Sequence, residues 1–223
     1  MKVLAIHGLP TSPRLWERLQ LPEGWELVAP MVPGLGDDGT DESWTLSGCV
    51  EQLAPLAAEA DILVGHDLGG VLTAMLASPG QSVVLSGTAL GHYWSAIRLT
   101  SLPSVHRFFY ERHGGRRFLS RGGLPEHSGS LLEAFGDHGP GWPGRMRIIA
   151  RNMRPPPNLA ARLRSCGVRL AWGRSDPWYP PRVAKAVQRT TGGHLHWLEC
   201  GHFAPWERPR EFVAVLTGEA LLR

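Results

Sequence analysis

Asp67, Asp176 and His202 lie far apart in a chain of 223 residues, yet their side chains suit one reaction. Asp67 stands at the tip of Gly65-His66-Asp67-Leu68-Gly69-Gly70, after Ile62-Leu63-Val64 and before Val71-Leu72-Thr73-Ala74-Met75-Leu76. The first apolar run reads as a buried strand and the second as a helix. A strand that turns straight into a helix, with small residues on either side of one polar residue, is a nucleophile elbow. A bulky neighbour at 65, 69 or 70 would collide with the backbone there. A carboxylate at the tip attacks carbon without first giving a proton to a base. It also sits at the first turn of a helix, so the sequence predicts that it is ionised at neutral pH. The competing reading is an N-cap, a role that Asp also fills.

The elements that must position these residues alternate. Apolar strands are expected at Lys2–Gly8, Trp25–Pro30, Asp61–Val64, Ser82–Ser86, Val168–Gly173 and His194–Cys200. Helices are expected from Thr11 through Leu19, over 47–60 with an interruption at Pro55, from the elbow to Ala77, over 184–190 and over 209–216. This alternation calls for a doubly wound, mostly parallel sheet of about six strands with helices on both faces. Residues 1–90 and 165–223 then form the core. Between them, 91–164 has no convincing strand and carries Gly- and Pro-rich stretches at 113–115, 122–129, 136–144 and 155–157, which predicts an inserted helical lid. Asp67, Asp176 and His202 each follow a strand, which puts the site at the C-terminal edge of the sheet.

Composition narrows the functional classes. The apolar content of 43% suits a sizeable core, and no stretch approaches membrane-spanning length or a signal peptide, so the expectation is a soluble, cytoplasmic protein. The three cysteines, Cys49, Cys166 and Cys200, have no C-x-x-C spacing and predict neither a disulfide framework nor a zinc site. The net charge of +3 conceals 12 Arg against four acids between His92 and Arg164. With only two Lys in the chain, a bias toward Arg explains this better than nucleic-acid binding, although a basic lid could steer an anionic substrate.

Four motifs in order, His7-Gly8-Leu9-Pro10, the elbow, Trp172-Gly173-Arg174-Ser175-Asp176 and Gly201-His202-Phe203, resemble those of the α/β-hydrolases over nearly the whole chain. Asp at the elbow with the H-G-x-P turn is similar to the epoxide hydrolase and haloalkane dehalogenase branch. The strands that usually precede the H-G strand are missing, so the sheet should be trimmed at its N-terminal edge. The resemblance implies Asp67 as nucleophile, His202 as the base that activates water, Asp176 as its orienter, and the backbone N–H groups of Leu9 and Leu68 as oxyanion donors. It implies no metal or cofactor, and a small-molecule substrate handled by a monomer or homodimer. Epoxide opening would need an acid, for which Tyr93 and Tyr110 are the lid candidates. A halide would need N–H donors, and Leu68 and Leu9 stand where dehalogenases commonly carry Trp and Asn, leaving Trp94 or another lid residue to replace them. An esterase-like or a catalytically silent ligand-binding member of the fold stays open. His66 reads as structural, pointing elsewhere on the strand pleat, and His7 as a loop-fixing residue.

Overall fold

The computed structural model describes residues 1–36, 42–90, 101–107, 114–137 and 141–219. Six strands, β1 (Lys2–Ile6), β2 (Glu26–Val28), β3 (Ile62–His66), β4 (Ser82–Ser86), β5 (Gly167–Gly173) and β6 (His194–Leu198), form one parallel sheet in the order β2-β1-β3-β4-β5-β6. Alternation along the strands divides two cores. Leu4, Ile6, Leu63, Leu85, Leu170 and Trp172 face helices α1 (Leu46–Ala58) and α2 (Leu68–Leu76), while Val3, Ala5, Ile62, Val64, Val84 and Ala171 face the helix Pro209–Thr217. The central strands, buried on both faces, read as unbroken apolar runs and were legible for that reason, while the edge strands β2 and β6 are only partly buried.

The chain winds from β1 to β2 on one side and returns to place β3 on the other, so the strand order reverses between β1 and β3. The loops leaving those two strands splay apart at such a point and leave a crevice. Registers Ile6↔Gly65 and His66↔Ser86 keep the strand ends level, which brings the turn after β1 against the elbow after β3.

Several elements differ from expectation. The helix expected from Thr11 through Leu19 is only a short 3-10 turn, Pro13–Trp16, capped by the Ser12 side chain. Pro55 does not interrupt α1. It lies on the exposed face, where water can satisfy the carbonyl freed four residues earlier. The stretches expected as loops at 113–115 and 122–129 belong largely to helices Gly114–Gly122 and Pro125–Phe135, with Pro125 in the first turn, where its missing N–H costs nothing. Leu119 and Leu131, both buried, supply the apolar anchors that offset the glycines. With Pro103–His106, Trp142–Asn152 and Leu159–Arg162, these helices occupy the excursion between β4 and β5. No helix among the described residues is long and apolar enough to cross a membrane.

Close packing of α2 on β1 sets a stability prediction. A Cβ added at Gly69 would strike the Ile6 carbonyl group and approach the His7 oxygen to 2.6 Å. Gly to Ala inside a helix ordinarily gains about 1 kcal/mol, but here the overlap is with backbone that cannot yield. Gly69→Ala is therefore expected to lower unfolding stability by about 3 kcal/mol, read as a lower denaturant midpoint with an unchanged slope.

Candidate active site

The elbow is built by crowding. Its Asp67 has φ 52° and ψ −116°, a backbone conformation that L residues avoid and that functional sites retain. A side chain at Gly65 would meet the Gly69 oxygen and the Thr73 hydroxyl at 2.5 Å, and one at Gly70 would meet Thr88 at 2.6 Å. A side chain at Gly8 would lie 2.5 Å from the Asp67 Cβ, so the turn after β1 rests directly on the elbow. The Asp67 side chain does not cap α2. This removes the N-cap reading and leaves the carboxylate free to face the crevice.

Its two oxygens have different partners. The Leu9 N–H donates to Oδ2 at 2.9 Å, and the Leu68 N–H favours the charged carboxylate. The Tyr179 hydroxyl donates to Oδ1 at 3.0 Å. Burial raises the Asp67 pKa above its ordinary value, opposed by the charge of His202, then by the Leu9 and Leu68 amides and the Tyr179 hydroxyl. Beyond the helix start that the sequence pointed to, desolvation works against the charge, and the Leu9 amide and the Tyr179 hydroxyl help to hold it.

His202 Nδ1 lies 2.8 Å from Asp176 Oδ2, and both side chains are buried. The other Asp176 oxygen, Oδ1, accepts the N–H groups of Trp178 and Tyr179, each at 2.9 Å. With Oδ1 fixed, Oδ2 can only face the imidazole. Nδ1–H therefore donates to Asp176, and Nε2 remains available to take a proton. Burial lowers the His202 pKa, but Asp176, then Asp67 and Glu207, act the other way and the net shift is upward. The Tyr179 ring, 5.5 Å from the His202 ring, spans from imidazole to nucleophile. The structure thus gathers Asp67, Asp176, His202, Leu9 and Leu68 at one sheet edge.

Two further histidines have scaffolding geometry. His7 Nε2 accepts the Val32 N–H at 3.1 Å, so its Nδ1–H must donate to the Gly8 oxygen, also at 3.1 Å. Burial pushes its pKa down to about 4, and the ring fixes the loop as a neutral group. His66 lies nearer the site than the strand pleat suggests: its ring sits tilted against that of His202, centroids 4.6 Å apart, and its Nε2–H donates to the His202 carbonyl at 3.0 Å.

Tyr93, Trp94 and Tyr110 lie outside the described residues. Tyr179, the third tyrosine of the chain, was not among the sequence candidates. Its signal was its place three residues beyond Asp176, within the turn that Asp176 itself organises. The Trp172 indole N–H pins its carbonyl at 2.8 Å. Among the described residues no cluster of His, Cys, Asp and Glu could hold a metal ion.

A parallel sheet with an elbow between β3 and α2, and an Asp–His pair on the loops after β5 and β6, defines a hydrolase-type fold and site. The chain belongs to the alpha/beta hydrolase family, whose model matches residues 3–215. No curated protein sequence matches it. Among solved structures it is similar to a thermophilic esterase from Thermogutta terrifontis, at 19% identity, TM-score 0.74, and coverage of 98% of this chain and 88% of that one. It is also similar to the enol-lactonase of Burkholderia xenovorans LB400, at 14% identity, TM-score 0.73, and coverage of 97% and 90%. An epoxide hydrolase of Bacillus megaterium matches at 14% identity, TM-score 0.69, and coverage of 97% and 92%. At these identities the likeness establishes the fold.

Proposed function

We propose that this hydrolase uses Asp67 as a nucleophile that forms a covalent ester with its substrate, and that the substrate is an epoxide. The observation that carries this reading is the asymmetry of the Asp67 carboxylate, one oxygen on the Leu9 amide and the other against a phenol. Oδ1 attacks a ring carbon, the carbon–oxygen bond of the ring breaks, and its electron pair passes to the oxygen. As the carbon takes its place beside Oδ1, the Tyr179 hydroxyl leaves the carboxylate and protonates the departing alkoxide, sharing the acid role with Tyr93 and Tyr110 as candidates. His202 Nε2 then takes a proton from water, and the hydroxide attacks the Asp67 acyl carbon. The oxyanion forms on Oδ2, where the Leu9 and Leu68 amides support it. The tetrahedral intermediate collapses, the ester carbon–oxygen bond breaks and the diol leaves with the Oδ1 oxygen. The proton held by His202 returns the Tyr179 phenolate to phenol, and Asp67 is regenerated as a carboxylate with an oxygen from water.

Residues 91–164 act as the lid, and the enzyme works in the cytoplasm as a monomer or homodimer on a small molecule, without metal or cofactor. A haloalkane or haloacid is the runner-up, disfavoured by Leu9 and Leu68 at the positions of the usual halide donors. Esters and lactones are a further reading, supported by the shared fold of the esterase and the enol-lactonase. Initial rates on a chromogenic panel of an epoxide, a haloacid and an ester separate the three. Turnover of the ester alone would overturn the epoxide reading.

Tyr179→Phe removes the hydroxyl without changing the ring. It is expected to slow epoxide opening by about 10²-fold or more. An unchanged single-turnover rate would take Tyr179 out of the acid role and leave it to Tyr93 or Tyr110.

A further inference from the structure

Glu207 is a carboxylate only 3% exposed, and among the described residues no cationic side chain pairs with it. Burying such a group is costly unless its oxygens are satisfied. They are satisfied by backbone alone. Oε1 accepts the Phe203 N–H at 3.0 Å, and Oε2 accepts the Gly201 N–H at 3.0 Å and the Leu124 N–H at 2.8 Å. The Phe203 contact is what a helix cap would make for the turn Ala204–Glu207. Capping does not account for the other two. Gly201 is the residue before His202, and Leu124 lies 83 positions away, in the connector between helices Gly114–Gly122 and Pro125–Phe135.

That connector lies on the histidine loop backbone to backbone. The His202 N–H donates to the Gly122 oxygen at 2.6 Å. A Cβ at Gly201 would overlap the Gly122 oxygen and come within 3.1 Å of Gly123. His66 holds the His202 carbonyl and Gly122 accepts its N–H, while one carboxylate grips both layers.

We propose that Glu207 is a positioning residue that fastens the His202 loop to the 122–124 connector, so that a single carboxylate sets both the placement of the imidazole and the docking of the helices above it. Charge-assisted bonds to three amides are strong and short-ranged. An amide in its place would offer one accepting oxygen and turn an N–H₂ toward amides that themselves donate. The groups facing His202 are Asp67 and His66 from the elbow, Asp176 and Tyr179 from the loop after β5, and Glu207 from below. Removing the Glu207 charge takes away one influence that favours the imidazolium, so His202 should then lose its proton at lower pH.

The test compares the full chain with its Glu207→Gln and Glu207→Asp variants by amide hydrogen exchange and by NMR titration of the His202 ring. These measurements need no substrate, so they stand apart from the reading of His202 as the base on which the functional consequence rests. In Glu207→Gln, exchange over 122–124 and 201–203 is expected to accelerate together by about tenfold or more, while the strands keep their protection. The His202 titration, and with it the acid limb of kcat on any turned-over substrate, is expected to move to lower pH. Glu207→Asp keeps the charge on a shorter arm and is expected to restore most of the titration while both segments still exchange fast. Acceleration in only one segment, or a His202 titration unmoved in Glu207→Gln, would overturn the proposal. Should Glu207→Gln fail to fold, the exchange of Glu207→Asp decides by the same criterion. If the wild type turns over no epoxide, the epoxide reading falls while this result stands on its own.

Discussion

Asp67→Asn is expected to abolish turnover while leaving the fold intact, with kcat falling on the order of 10⁶-fold, as removing a nucleophile does in comparable hydrolases. An amide of the same shape can still rest its oxygen on the Leu9 amide, but it carries no charge with which to attack carbon. Asn also tolerates the positive φ that the elbow imposes at this position. Burial raises the Asp67 pKa, so ionising this side chain is a cost that the folded state bears. The thermal midpoint of the variant should therefore be unchanged or higher than that of the wild type, a stability gain at the expense of activity. Kinetics and a melting curve on one preparation check both halves. A variant that kept more than about a hundredth of its activity would remove Asp67 from the nucleophile role.

His202→Gln should separate the two chemical steps. Attack on the substrate needs Asp67 and the tyrosine acid but no base, whereas release of the product needs His202, so the variant is expected to react once and stop. Intact-protein mass spectrometry after mixing with an epoxide should show the mass of one substrate added and retained, with steady-state turnover down by about 10³-fold or more. The wild-type pH dependence follows from the same residue. Asp176, Asp67 and Glu207 together outweigh burial and raise the His202 pKa above its ordinary 6.5, so the imidazole becomes a free base only as the pH rises past that value. Turnover should fall on acidification as His202 gains a proton and ceases to act as the base, with Asp176 and Glu207 favouring the imidazolium. Asp176→Asn removes the largest upward influence and should move the midpoint of that fall down, while slowing turnover because the ring loses its orienting partner.

Much of this arrangement could be read from local pattern. The central strands β1, β3, β4 and β5 are largely buried on both faces and announce themselves as apolar runs, and Gly65, Gly69 and Gly70 mark the elbow because no larger residue fits there. Asp176 and His202 were legible as polar residues leaving strands. What escaped depends on contacts distant in sequence. Tyr179 is brought to Asp67 across 112 positions by an Asp176 turn and a Trp172 indole, neither of which leaves a periodic trace. Glu207 reads as one more charged residue until the chain folds and presents three amides to it. Gly114–Gly122 looks like a loop by composition, and it becomes helical because Leu119 finds a buried place against the second core. The shortened turn at Pro13–Trp16 fails in the opposite sense: its apolar spacing suits a longer helix, but the chain turns away after Trp16.

The most direct measurement is a single turnover, with enzyme in excess over an epoxide in water enriched in heavy oxygen, followed by mass analysis of the diol and of the peptide carrying Asp67. In the first cycle the label is expected in the Asp67 carboxylate, and the diol should carry the unlabelled oxygen that the enzyme gave up. Label found in the diol alone, with none in Asp67, would mean that water attacks the substrate directly and that no ester on Asp67 is formed.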